Sequence, residues 1–206
     1  KFAPQVPANW NDYEAKSIKA GGNSLDFKVK RSEKRMSFGV FQKSGNSTTK
    51  VIIAPSFPLD AVIKSVTVAD KKVPFQIKKI GDIQQAEIQF EANIAATEVV
   101  YLLDEGTDVY WNIPNLIAGQ ENTGLRIIKS QAKAEGLYLV LEGRGGQTYQ
   151  LNVRSPKLLK DIEVIGLTSP TMEQRLNIKF EGDKDSYVRR EMLLQFKEMA
   201  NSKSKK

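Results

Sequence analysis

Two residue types that carry much of protein chemistry are missing from this sequence. The chain has 206 residues and contains neither cysteine nor histidine. Without cysteine there is no disulfide and no thiolate nucleophile. Without histidine, the usual proton shuttle near neutral pH and the commonest metal ligand are absent. The sequence therefore predicts no catalytic residue, no metal site and no cofactor in this chain.

Long apolar runs are also missing. The longest, Val51–Pro55 and Val99–Leu103, fall far short of the roughly 20 apolar residues that span a bilayer. No secretory signal is visible, because Lys1-Phe2-Ala3-Pro4 leads straight into polar sequence. This start suggests a processed chain or a piece cut from a longer one. The lack of cysteine permits an exported location, periplasmic or at the cell surface.

The charge balance is basic, with a formal net charge of +7. The basic residues are spread along strand-like segments that also contain acids, as in Asp26, Lys28 and Lys30 on one strand face. The dense basic run is the end of the chain, 201–206, which we interpret as a disordered tail. This distribution favours solvated strand faces over a polyanion-binding surface, and we expect no nucleic-acid partner.

Alternation of apolar and polar residues recurs along the chain and predicts strands with little helix. Gly, Pro, Asn, Asp and Ser mark the breaks about every ten residues, which is typical of a β-sandwich. The sequence thus predicts an all-β fold, an antiparallel β-sandwich with two packed units of immunoglobulin-like or jelly-roll-like type. Predicted strands fall near residues 16–20, 24–31, 35–42, 48–54, 63–69, 73–78, 84–90, 97–103, 124–130, 136–142, 147–154, 161–165, 174–181 and 187–196.

The predicted domain organisation follows from the break in the middle of the chain. We expect an N-terminal sandwich over 12–105, a connector over 106–123 and a C-terminal sandwich over 124–200. The aromatic pair Tyr110-Trp111 indicates that the connector is packed. The segment 189–200 also has some helical spacing, but alternation favours a strand through about Phe196.

Several short motifs have a structural and a functional interpretation. Gly143-Arg144-Gly145-Gly146 lies between two strand patterns, so it predicts a hairpin turn and not a phosphate-binding loop, which needs a following helix. Glu142 with Glu163, or Asp104 and Glu105 with Asp108, offer carboxylate pairs of the kind that glycoside hydrolysis needs, but nothing ties them to a cleft. The aspartates around Gly182 predict a turn, because the calcium-loop spacing is missing.

The aromatic residues are the best candidates for a ligand site. Trp10, Tyr110 and Trp111 lie in polar or turn-rich contexts, where a flat ring can stack on a sugar. Asn112 and Gln120 are candidate hydrogen-bonding partners of such a sugar. The alternative is that these rings fill the joint between two domains by burying a large area. The sequence leaves both interpretations open.

Five segments resemble a known family. The segment Phe2-Ala3-Pro4-Gln5-Val6-Pro7-Ala8-Asn9-Trp10 resembles the P-x-L-P-x-x-W start of the C-terminal β-sandwich in large bacterial glycoside hydrolases with an (α/α)-barrel catalytic domain, of Bacteroidetes type. The segment Ala54 to Val73 is similar to their sPxLPxgaxVxsVxVNGkxV motif, with Ala69-Asp70-Lys71 where the family favours Val-Asn-Gly. The last strands of such accessory regions are resembled by three further segments of this chain: Gly124-Leu125-Arg126-Ile127, Leu137 to Gly143 and Thr148-Tyr149-Gln150-Leu151.

The resemblance implies a non-catalytic accessory region of an exported carbohydrate-active enzyme. Such a region braces the catalytic domain of the same polypeptide, which would be the partner of this chain. Two alternatives stay open: a carbohydrate-binding module with an aromatic stacking platform, and a cell-surface interaction module that binds proteins through strand edges.

Overall fold

A computed structural model of the chain describes residues 1–45, 47–92, 95–113, 117–160 and 173–197. These residues form antiparallel strands and no helix, so the predicted all-β sandwich class is confirmed. No helix in these ranges is long and apolar enough to cross a membrane. The predicted strand 161–165 and the predicted tail 201–206 lie outside the described residues.

The strands are numbered in chain order. They are β1 (Asp12–Ala20), β2 (Asn23–Arg31), β3 (Arg35–Ser44), β4 (Thr49–Ile53), β5 (Ser56–Pro58), β6 (Val62–Val68), β7 (Lys71–Val73), β8 (Gln76–Ile80), β9 (Ile83–Ala92), β10 (Thr97–Glu105), β11 (Asp108–Tyr110), β12 (Arg126–Lys133), β13 (Gly136–Arg144), β14 (Thr148–Arg154), β15 (Glu173–Lys179) and β16 (Tyr187–Gln195).

The described chain divides into two compact units. Unit 1 comprises Lys1–Tyr110 and Val153–Pro156. Unit 2 comprises Trp111–Asn152 together with residues 157–160 and 174–197. The chain thus passes into unit 2 after Tyr110 and returns to unit 1 at the end of β14.

Unit 1 is built from two antiparallel sheets. One has the order β1-β2-β3-β10-β6-β7, and the other has the order β4-β9-β5, with β8 also paired to β9. Alternate residues of both sheets point inward, because successive side chains of a strand lie on opposite faces. Tyr101 of β10 links the two layers: its ring centroid lies 5.8 Å from that of Phe57, and its hydroxyl donates to the carbonyl of Ala86 at 3.2 Å.

The β6–β7 hairpin shows how a local sequence choice stores strain. Val68 pairs with Lys71, so Ala69 and Asp70 are the two loop residues. Both have positive φ, 47° and 64°, which is the backbone of a type I′ turn. Asn-Gly is the favoured pair there, because most residues with a Cβ avoid this region. This hairpin therefore forms in spite of its loop residues.

Unit 2 contains the sheet β12-β13-β16 and the pair β14–β15. Phe180, which follows β15, is 1% exposed and lies edge-on to Tyr149 of β14, with ring centroids 5.7 Å apart. Gly143 permits this packing, since a Cβ there would lie 2.7 Å from ring atoms of Phe180 and Tyr149.

The glycine run 143–146 forms the predicted β13–β14 hairpin, with a different use for each glycine. Only Gly146 has a positive φ, 72°. A Cβ on Gly145 would lie 2.3 Å from the carbonyl oxygen of Asp183, so that glycine allows two backbones to approach. Positive φ is therefore only part of the reason for these glycines. The turn predicted from the sequence explains Gly146 but not the close approach at Gly145.

Candidate functional site

Two of the predicted ligand residues belong to unit 1. Trp10 is 50% exposed and its ring lies 6.0 Å from that of Tyr13 at a tilt of 55°. Tyr110 is 5% exposed, and the guanidinium of Arg154 covers its ring at 4.9 Å. Trp10 therefore offers an accessible ring, whereas Tyr110 lies in the interior of unit 1.

The other three predicted residues belong to unit 2. Trp111 is partly buried and packs edge-on against Tyr149, with centroids 6.2 Å apart. Gly124 lies directly beside the indole, because a Cβ at that position would come within 2.2 Å of it. Asn112 and Gln120 are exposed, and the side-chain oxygen of Gln120 accepts a hydrogen bond from the amide of Ile117 at 3.2 Å. Ligand binding by these residues stays a prediction.

A polar cleft lies near Trp111 within unit 2. It encloses about 360 Å³ and is open to solvent. Its lining combines cations, a carboxylate and neutral hydrogen-bonding side chains. These residues are Thr123, Arg144, Gln147, Tyr149, Lys184 and Asp185. This cleft was not predicted from the sequence, because its residues come from the loop before β12, the β13–β14 hairpin with the start of β14, and the loop before β16.

Two tyrosines hold the loop that forms one wall of the cleft. The Tyr149 hydroxyl donates to the carbonyl of Thr123 at 2.7 Å and accepts from the amide of Arg144 at 3.0 Å. The Tyr187 hydroxyl donates to the carbonyl of Asn122 at 2.9 Å. These bonds fix the residues before Gly124 against the hairpin, so the cleft is a preformed feature of unit 2.

Arg144 is the central cation of the cleft. Its guanidinium forms an ion pair with Glu121 and lies 5.8 Å from the ring of Tyr187. Burial is the largest single influence on Arg144 and lowers its pKa, but the hydrogen bond that it donates to Glu121, the charge of Glu121 and the nearby Tyr187 together raise the pKa above its usual value. The side chain is therefore a permanent cation. With Lys184 and Gln147 as further donors and Asp185 as an acceptor, the cleft suits a ligand that carries both hydroxyl and acidic groups.

A second charged cluster lies in unit 1. Arg31 forms an ion pair with Asp108, and Arg154 reaches the same Asp108 oxygen at 3.4 Å. Arg154 also donates to the carbonyl of Ala8 at 2.7 Å and to the side chain of Asn11. Burial, and then the charge of Arg154, lower the pKa of Arg31 to about 10, so Arg31 remains charged at neutral pH.

The arginine cluster has a structural role. The free space beside it is about 20 Å³, which holds no more than one water molecule. The cluster instead fastens the segment 8–11 to β2, β11 and the end of β14. The sequence gives no signal for it, because Arg31, Asp108 and Arg154 are far apart in the chain and each resembles an ordinary charged residue.

The candidate carboxylates are engaged by cations. Glu142 accepts from Arg189 at 2.8 Å, Asp104 pairs with Lys64 at 3.3 Å, and Glu163 lies outside the described residues. Among the described residues, no group of three carboxylates is placed to hold a metal ion. A hydrogen bond from Lys1 is the largest influence on Glu87 and lowers its pKa, which is opposite to the shift that a general acid requires.

The turn predicted around Gly182 is present in the structure. The side chain of Asp183 accepts from the amide of Asp185 at 3.0 Å, and its carbonyl accepts from the Ser186 hydroxyl at 3.0 Å. Asp183 is thus engaged within the loop, and Asp185 faces the cleft.

No protein-family profile, no curated protein and no solved structure matches this chain.

Proposed function

We propose that this chain is a non-catalytic β-sandwich accessory region of an exported carbohydrate-active enzyme, a glycoside hydrolase, and that it braces the catalytic domain of the same polypeptide. A brace needs a rigid attachment. In this proposal the attachment is the N-terminal segment, residues 1–11, through which the catalytic domain would be joined to unit 1.

The carrying observation is the way this segment is fastened at both of its ends. Near the start, the amide of Phe2 donates to the carbonyl of Ile52 at 2.8 Å, and the carbonyl of Phe2 accepts from Ala54 at 3.0 Å. At the other end, Arg154 binds the carbonyl of Ala8 and the side chain of Asn11. A domain joined to this segment would be held in a fixed orientation and not on a loose tether.

The electrostatics of the acidic residues favour a non-catalytic role. Glycoside hydrolysis uses one carboxyl group whose raised pKa keeps it protonated near neutral pH. A backbone hydrogen bond from Ser17 lowers the pKa of Asp26, and a hydrogen bond from Lys16 lowers the pKa of Glu14. These groups are anions at neutral pH and cannot donate a proton to a leaving group.

Hydrolysis assays on the chain alone test this proposal. We expect no release of reducing sugar from a panel of neutral and acidic polysaccharides. The matched variant is Glu142→Gln, since Glu142 belongs to the carboxylate pair predicted from the sequence, Glu142 with Glu163. Turnover by the chain that a single carboxylate change such as Glu142→Gln abolishes would refute the non-catalytic role.

A second candidate function, carbohydrate binding by this chain, is favoured by the cleft of unit 2. Sugar hydroxyls both donate and accept hydrogen bonds, and Arg144, Gln147 and Asp185 supply both kinds of partner in one cleft. Gln147→Ala tests this function in a glycan-binding assay, with the exposed Gln76→Ala of β8 as control. Equal binding by the two variants would count against the cleft.

A further inference from the structure

We propose that the outer face of the β12–β13–β16 sheet binds an acidic polysaccharide, whose carboxylate or sulfate groups pair with a row of cations on that face. This inference deepens the carbohydrate-binding candidate above and rests on it. We call this surface the basic face. Its cations are Arg126, Lys129, Lys133, Arg144 and Arg189, and the tyrosines and carboxylates beside them belong to it.

Strand register places these residues on one side of the sheet. Glu142 lies opposite Arg126 in β12 and opposite Arg189 in β16. Arg144 lies opposite Tyr187 in the same way. Side chains at paired positions share a face, and every second residue returns to it. The opposite side of β13 carries the buried residues Leu137, Leu139 and Leu141, so the basic face is the outer one.

Contacts within the basic face confirm this assignment. The guanidinium of Arg126 lies 3.8 Å from the ring centroid of Tyr187, and Arg189 donates to Glu142 at 2.8 Å. The Tyr138 hydroxyl donates to Glu191 at 2.5 Å. The two tyrosine rings thus form fixed supports for the cations beside them.

Two lysines of the basic face are available to bind an anionic ligand. Lys129 and Lys133 lie over the Tyr138 ring, each with its ammonium 5.9 Å from the ring centroid. Both are exposed, and neither forms an ion pair with a carboxylate of the described residues. The same ring attracts both ammonium groups, so two like charges that repel each other are kept near one another on the basic face. An anionic group bound beside them would reduce that repulsion.

The carboxylates on the basic face indicate which polyanion fits. Glu142 and Glu191 lie between the cations and would repel the closely spaced phosphates of a nucleic acid. A polysaccharide carries hydroxyl groups between its acidic groups, and a hydroxyl can donate a hydrogen bond to a carboxylate. The alternation of cations and carboxylates therefore favours an acidic glycan.

The basic face leads directly into the cleft. Arg144 is a member of both, since it lies at the end of β13 and lines the cleft with Lys184. Gly136, which pairs with Lys133, is at the other end of the strand, so the row spans about 27 Å at the usual strand rise. An extended glycan chain can follow this row, with one acidic sugar in the cleft.

A paired set of variants with equal charge change tests the inference. Lys129→Gln with Lys133→Gln removes the two cations of the basic face. Lys71→Gln with Lys72→Gln removes two exposed cations of β7 in unit 1 and is the control. Affinity electrophoresis of each folded variant, checked by thermal unfolding, would use polygalacturonate, heparin, neutral dextran, duplex DNA and vesicles with phosphatidylserine.

We expect the unaltered chain to bind polygalacturonate or heparin, and the more tightly bound of the two distinguishes carboxylate from sulfate. The Lys129/Lys133 variant should bind about tenfold more weakly, which corresponds to about 1.4 kcal/mol, while the control keeps its affinity.

Equal losses in both variants would mean that net charge alone drives binding and would overturn the inference. So would DNA or vesicle binding as tight as glycan binding. Binding of dextran with equal affinity would overturn it and leave the carbohydrate-binding function standing. Binding of no glycan would refute both.

Discussion

Phe2 and Phe27 stack with their ring centroids 4.1 Å apart and their planes inclined by 14°. Phe27 is a core residue of β2 and is 2% exposed, so the stacking brings the start of the described chain into contact with the core of unit 1. Phe2 also lies edge-on to Phe38 at 6.3 Å. The N-terminal segment is therefore part of the packed unit and not an arm beside it.

Phe2→Ala should destabilise unit 1 because it removes this stacking. We expect a loss of about 2 kcal/mol in the free energy of unfolding, below the usual range for a fully buried phenylalanine since Phe2 is partly exposed. Urea unfolding measures the loss. Phe41→Ala, at a ring that is 41% exposed, is the control and should cost less than about 1 kcal/mol. Equal losses would show that Phe2 contributes no more than a surface ring.

Tyr101 should make the stability of unit 1 sensitive to alkaline pH. Burial raises the pKa of its hydroxyl far above the ordinary value, so the folded state favours the protonated form. This contribution is fully present below the unfolded-state pKa of about 10 and is lost as the pH rises above it. Tyr101→Phe should cost about 1 kcal/mol at neutral pH.

The difference between the native chain and the Tyr101→Phe variant should shrink between about pH 9 and about pH 11, because only the native chain loses this contribution. Urea unfolding at each pH gives both values, and ionisation of lysines affects both chains equally. A difference that stays constant over this range would contradict the assignment to Tyr101.

Replacing the loop of the β6–β7 hairpin should stabilise the fold. Ala69→Asn with Asp70→Gly installs the favoured pair for two positive φ angles, and we expect a gain of about 1 kcal/mol. Gly81→Ala is the complementary change, since Gly81 has a φ of 57° with nothing within 4 Å of the added Cβ. It should lower stability by a similar amount. A neutral or negative effect of the Asn-Gly loop in thermal unfolding would show that the hairpin is not strained.

Arg154→Lys should loosen residues 8–11 even though the charge is kept. A lysine cannot reach Asp108, Ala8 and Asn11 together as the guanidinium fork does. We expect a loss of about 1–2 kcal/mol, because acceptors on Ala8 and Asn11 lose their donor while the positive charge beside Asp108 is kept, and faster amide hydrogen exchange in this segment. Arg190→Lys is the control, because Arg190 is exposed and donates a hydrogen bond to the carbonyl of Lys179, away from residues 8–11. Unchanged exchange in residues 8–11 would contradict the clamp.

Much of the fold could be predicted because long strands have one buried face. In β3, Met36, Phe38 and Val40 are buried at every second position, and alternation locates such strands well. The three-residue strands β5 and β11 were missed, since they are too short to show a period. The predicted strand 73–78 is in fact two strands, β7 and β8, with Pro74 between them, because proline lacks the amide that a ladder needs.

The C-terminal strand illustrates the limit of periodicity. The spacing of Met192, Leu193 and Phe196 also suits a helix, and the structure has β16 from Tyr187 to Gln195. Pairing of nine residues with β13 decides the outcome, and such long-range pairing is invisible in a local pattern. The strand interpretation is confirmed by this pairing.

The candidate sites were much harder to predict than the fold. The cations of the basic face look like ordinary solvated residues along three separate segments, and only strand register brings Arg126, Glu142 and Arg189 together. The cleft depends on three loops whose mutual position no local pattern encodes. The aromatic residues stood out by type alone, and residue type does not distinguish the accessible ring of Trp10 from the buried ring of Tyr110.

The bracing role is tested most directly in the polypeptide encoded by the complete open reading frame that contains this chain. The measurement is the unfolding temperature of the catalytic domain, followed by loss of glycosidase activity on heating, in Phe2→Ala and Phe41→Ala variants. We expect that a catalytic domain precedes Lys1 and that Phe2→Ala lowers the unfolding temperature of that domain, while Phe41→Ala leaves it unchanged. An unchanged unfolding temperature in Phe2→Ala, or a reading frame that encodes no catalytic domain, would refute the bracing role.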